Sequence, residues 1–227
     1  MALSNTNDVT GAKKELEQFQ KARKSLSEKP SKRILFNNTV SDILAIAEQI
    51  LLGEILYREA FLLSSNAQSE ANEDKTTKVM SMFDEAFSYL RKAVELNDYG
   101  LVYDEPWGWM HPARHVLGAL LLEQGNIQEA EEIYRQDLGI SKSGKNAKCS
   151  HPNNIWSLRG LEECFTNYKA KKVKKVVGSM NMKEYEYVVL PEDYEEIMQN
   201  LTKAAKICEG PTVISCSCAC KQSWNSK

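Results

Sequence analysis

The chain has no long apolar run. Nothing in its 227 residues reaches the roughly 18 consecutive apolar positions that a membrane-spanning helix needs. It also has almost no net charge. With 29 basic against 31 acidic residues, the formal balance of −2 leaves no overall field to draw in nucleic acid or an anionic membrane, so nucleic acid is not the expected partner. The opening segment MALSNTNDVTGAKKELEQF lacks the apolar core of a signal peptide, which predicts a cytoplasmic or nuclear chain, with the cytoplasm as the assignment. Catalytic signatures are missing too: there is no G-x-S-x-G elbow, no P-loop, no H-E-x-x-H and no dinucleotide fingerprint. The adjacent acids Asp104 and Glu105 need not converge on a substrate, and Glu131-Glu132 and Glu195-Glu196 read as solvated helix faces. No catalytic residue is therefore named, and the expectation is a protein that is not an enzyme.

What is present is helical periodicity. Over residues 111–138, Leu117, Gly118, Leu120 and Leu121 recur on one helical face, and Gly125 stops that helix. Asn126 follows as a candidate N-cap with Glu129 three residues on, which predicts a capping box. Ile127, Ala130, Ile133, Tyr134 and Leu138 form the buried stripe of the second helix. Gly118 costs about 1 kcal/mol of helix propensity, and the expected return is close approach of the second helix at Ala130.

Similar patterns flank this hairpin. A charged amphipathic helix runs over residues 9–26, ahead of Pro30, and DILAIAEQILLGEILYREAFLL is apolar on nearly all sides and therefore central. Residues 64–78 are polar and aperiodic and read as a loop. Phe83, Ala86, Leu90, Ala93 and Val94 give a helix closing near Asn97, with Gly53 and Ala86 as the small positions of that pair. A third unit opens at HPNNIWSLRGLEECF, where Asn153 or Asn154 caps a stripe of Trp156, Leu158, Leu161 and Phe165. The lysine-rich then β-prone segment 168–190 reads as a solvated loop, the other reading being an acidic-partner contact, and helix resumes after Pro191.

These spacings resemble tetratricopeptide repeats. The order of GEILYREAF, AFSYLRKAVEL, YDEPWGWMHPARHVLGALLLEQGNIQEAEEIYRQDL and HPNNIWSLRGLEECF is similar to the C-terminal region of a family of larger tetratricopeptide proteins from bacteria and some eukaryotes, with YDEPxxW…PxRHxLG as its specific signature. The resemblance implies an all-α fold, a short right-handed α-solenoid of antiparallel helix pairs. Its parts are an N-terminal helix in residues 1–30, repeats over 39–207 with insertions at 64–78 and 168–190, and a Cys-rich tail at 208–227. The resemblance implies a scaffold binding a protein or peptide segment in its concave groove, and no reaction.

Two clusters carry chemistry beyond packing. Asp104, Glu105, Trp107, Trp109, His111, Arg114 and His115 fall within one loop and the first turn of a helix. In one reading Arg114 captures a carboxylate, oriented by Asp104, while Trp107 and Trp109 supply rigid contact area. In another the tryptophans pack the start of the helix, Pro112 takes its first position, and Arg114 pairs with Asp104 or Glu105. A metal on His111 and His115 is opposed by the adjacent Arg114 cation. The second cluster joins Cys149 and His151 to Cys216, Cys218 and Cys220, whose alternation in an extended tail points three sulfurs one way. That set would suit zinc or copper(I) in a metal- or redox-responsive module, against free, acylated or disulfide-forming thiols. Cys164 and Cys208 read as small core residues.

Overall fold

The computed structural model describes residues 2–28, 33–66, 73–102, 108–109, 112–177 and 191–207, without the side chains of 5, 27 and 169–177. Among these residues the fold is all-α: eight helices and one two-stranded ribbon. The described residues divide into two compact units, one up to Leu117 and one from Gly118 onward. The division falls inside one helix.

In the first unit α1 (Ala2–Asn5) leads to α2 (Val9–Ser27), whose first turn is capped by Asp8, its carboxylate accepting from the Gly11 amide at 2.8 Å. A ribbon of β1 (Ile34–Leu35) and β2 (Asn38–Thr39) precedes α3 (Val40–Asn66) and α4 (Glu73–Tyr99). The pattern that makes α3 apolar on all sides is explained by its position. Ile46, Ile50, Tyr57 and Ala60 are buried, while α2 lies against it through Lys13–Glu59 and through Gln20 and Arg23 on Glu48.

On its other side α3 meets α4. A Cβ added at Gly53 would stand 2.6 Å from Leu90 Cγ and 3.0 Å from the Ala86 carbonyl oxygen, and one turn on Tyr57 packs edge-on against Phe83 and Phe87 at 5.2 and 5.9 Å. Residue numbers rise along α3 as they fall along α4, so the pair is antiparallel. Gly53 and Ala86 are its small positions, as the sequence indicated. The expected loop at 64–78 is helical at both ends. Helix occupies its first three residues and resumes at Glu73, where Glu73 and Asp74 place negative charge in the first turn of α4, and residues 67–72 lie outside the described set.

The second unit begins within α5 (Ala113–Gln124) and continues with α6 (Ile127–Leu138), α7 (Ile155–Val177) and α8 (Tyr194–Ile207). Gly125, at φ +88, ends α5, and Gly139, at φ +78, caps α6 in the left-handed conformation that a side chain would strain. Asn126 holds the N-cap position of α6 but makes no side-chain capping bond, so the expected capping box is absent.

The close approach at Gly118 also differs from expectation. It is the buried ring of Tyr134, not Ala130, that fills the space: a Cβ at Gly118 would lie 2.7 Å from the ring, and one at Gly160 of α7 only 2.3 Å from it. One tyrosine is thus held between two glycines. Asn154, the cap of α7, accepts from the Trp156 and Ser157 amides at 2.9 and 3.3 Å. Pairing of Tyr168 with Glu131 and of Ser157 with Asp137 makes α6 and α7 antiparallel. The lysine run expected as a loop is helical up to Val177, because Lys and Ala are good helix formers and no Gly or Pro intervenes before Gly178.

Candidate functional site

Of the cluster at 103–115, the structure describes residues 108–109 and 112–115. At the end of α4, Asn97 Oδ1 accepts the Ala113 amide at 3.1 Å, satisfying one of the amides left open at the start of α5. Next to it, Arg114 donates from both terminal nitrogens to Asp98, at 2.7 and 2.6 Å, and both side chains are buried. This forked geometry is the strongest form of an arginine–carboxylate contact. It commits the guanidinium to the fold, so Arg114 serves as a clamp on α4 and not as a surface receptor for a carboxylate. His115 is buried, Trp109 is half-buried, and Pro112 precedes the helix rather than forming its first residue, its carbonyl accepting the His115 amide at 3.0 Å. Asp104, Glu105, Trp107 and His111 lie outside the described residues.

Asp98 is the residue that sequence reading missed. A signal was present: Leu90, Val94 and Asp98 fall at i, i+4 and i+8, so the carboxylate continues the buried stripe of α4 and requires a buried cation.

The second unit holds three further polar networks. Arg135, 1% exposed, donates through Nε to Glu131 at 2.8 Å and through both terminal nitrogens to Asp193 just before α8, with its guanidinium 6.0 Å from the Phe165 ring. Burial alone would lower the Arg135 pKa, but the bonds from Asp193 and Glu131 outweigh it and raise it. The same arginine holds the Asp193 carboxyl below its ordinary range, chiefly by hydrogen bonding. Tyr168 donates to Glu131 at 2.9 Å, and burial followed by that bond pushes its phenol up.

Around Asp137, also buried, His151 Nδ1 lies 2.8 Å away and Ser157 donates at 2.6 Å, while the His151 amide donates to the Asp137 carbonyl. Glu132 receives Ser141 and Ser143 at 2.5 and 2.7 Å. Burial raises the Glu132 carboxyl, but these bonds outweigh that effect and lower it. Glu131 and Glu132 are therefore working members of networks and not the solvated face expected of them. Glu195 and Glu196 are exposed.

Of the proposed metal ligands, Cys149 is an exposed free thiol and His151 is anchored on Asp137; Cys216, Cys218 and Cys220 lie outside the described residues, as does Cys208. Among the described residues no group of three or more His, Cys, Asp or Glu side chains gathers as a metal site. Cys164 is buried, as expected, and burial pushes its thiol up, which makes it inert. Among the described residues no helix is long and apolar enough to cross a membrane.

Comparison with protein-family models, with curated proteins and with solved structures found no match.

Proposed function

We propose that the chain is a tetratricopeptide-type scaffold that binds a peptide or protein segment. The observation that supports this reading best is the recurrence of antiparallel helix pairs nested on glycine, Gly53 against Ala86 and Leu90 in one unit and Gly118 and Gly160 against Tyr134 in the other. Such pairs are the building unit of helical arrays that present a groove.

In this proposal Trp107, Trp109 and His111, with Asp104 and Glu105, make the contact, because aromatic side chains give large contact area at low entropic cost. In this reading Arg114 and His115 fix the start of α5 and do not meet the partner. The buried Asp98–Arg114 pair supports that division of labour.

The test compares partners retained by the wild-type chain and by the Trp107→Ala, Trp109→Ala double variant, with thermal melting as the control for folding. Loss of specific partners from a variant that melts like wild type is the expected result. An unchanged partner profile would place recognition elsewhere.

A further inference from the structure

Two faces of α3 are covered in opposite ways. Toward α4 the contact is apolar and close: Phe83, Ala86, Phe87 and Leu90 are buried, and Leu90 is seated on Gly53. Toward α2 it is held by polar ties. Lys13 donates to both carboxylate oxygens of Glu59 at 2.7 Å, Gln20 donates to Glu48 at 2.9 Å, and Arg23 pairs with the same Glu48. Residue numbers rise along α2 as they fall along α3, so the helices run antiparallel and the ties stand near both ends of α2.

Little else holds this segment down. Among the described side chains of α1 and α2, only Ser4 and Ala12 are buried. Ala12 brings a single methyl group to the contact. The Ser4 hydroxyl has no hydrogen-bond partner among the described residues, so its burial costs free energy. The larger apolar residues of α2, Val9, Leu16, Phe19 and Leu26, are only half-buried. Lys13 and Glu59 are open to water, at 49% and 32% exposure, where an ion pair contributes little and is screened by salt.

The face beneath α2 is not itself polar. Glu48, Leu52, Ile55 and Glu59 follow one another at spacings of four, three and four, and so share one face of α3. Two carboxylates bracket an apolar strip, in which Ile55 is buried with α2 in place. We infer that α2 is a releasable strap: salt-sensitive ties hold it over this strip, and it lifts from α3 while the α3–α4 pair stays closed. A segment with few buried apolar contacts opens at lower cost than the helices beneath it. Release bares Leu52 and Ile55 between Glu48 and Glu59, so ionic conditions gate access to this face of α3. The strap uses none of the residues of the proposed tryptophan contact and stands independently of it.

The test is amide hydrogen exchange of the full chain, followed by mass spectrometry in low and in high sodium chloride. In low salt the α2 amides should exchange about tenfold faster than those of α4 between Phe83 and Val94, and added salt should speed α2 alone. Glu48→Arg should speed exchange in α2 in the same way. Adding Arg23→Glu to it should restore most of the protection, because the reversed pair keeps its attraction. Ser4→Ala should act in the opposite direction and slow α2 exchange, since it removes the buried hydroxyl. Exchange in α2 as slow as in α4 and indifferent to salt would overturn the inference. So would salt that speeds α4 equally, which would report opening of the whole unit, or a Glu48→Arg protein that Arg23→Glu does not rescue.

Discussion

Arg114 and Arg135 show what a single buried charge demands of its surroundings. Each is removed from water and each is met by carboxylates in a forked geometry, Asp98 for one and Asp193 with Glu131 for the other. Because Asp98 supplies the forked contact to a buried cation, Asp98→Ala should lower stability by about 3–5 kcal/mol. The double replacement Asp98→Leu with Arg114→Met should recover most of the loss, as an apolar pair of similar volume needs no compensation. Chemical denaturation of the three proteins checks this. A single variant as stable as wild type would mean that the pair contributes nothing to the fold. Arg114 thereby holds the start of α5 on α4.

At the scale of elements, α8 is held to its unit by an apolar contact and an ion pair. Ile197 and Leu201 are buried, Tyr194 meets Phe165 at 5.5 Å, and Asp193 meets Arg135. Asp193 has a folded pKa depressed below the ordinary aspartate value of about 4, so its contribution is fully present above that value and is lost as pH falls through the lower folded value. Melting followed from neutral pH to below pH 4 should therefore show a loss of stability in wild type that is smaller in Asp193→Asn. Parallel curves for the two proteins would remove Asp193 from the account.

The helices themselves were largely legible in the sequence, because 3.6-residue periodicity reports burial directly: α2, α3, α6 and the stripe of α7 fall where the apolar spacing puts them. Polarity misled at two places. Residues 73–78 and 168–177 read as loop, yet both belong to helices, since they are rich in charged residues of good helix propensity and hold no Gly or Pro. The site was legible only in part. Local composition singled out Arg114, but the carboxylate that it clamps lay 16 residues back, on a different helix. Pairing between elements is not encoded in local spacing, except where a charged residue such as Asp98 or Asp137 interrupts an apolar stripe.

For the whole molecule, the same packing solution appears in each unit. Gly53 receives Leu90 in the first, and Gly118 and Gly160 together receive the Tyr134 ring in the second. Charge is nearly balanced over the chain, so no overall field draws in a partner. The claim beneath the proposed function is that helix pairs close by seating side chains on glycine. The most direct measurement of it is the thermal stability of Gly160→Ala. Helix propensity alone would make this change stabilising by roughly 1 kcal/mol, since alanine is the better helix former. Packing predicts the opposite sign, because the new methyl would stand 2.3 Å from the fully buried Tyr134 ring. The expected result is destabilisation by about 1–3 kcal/mol. A melting temperature equal to or above that of wild type would contradict the account.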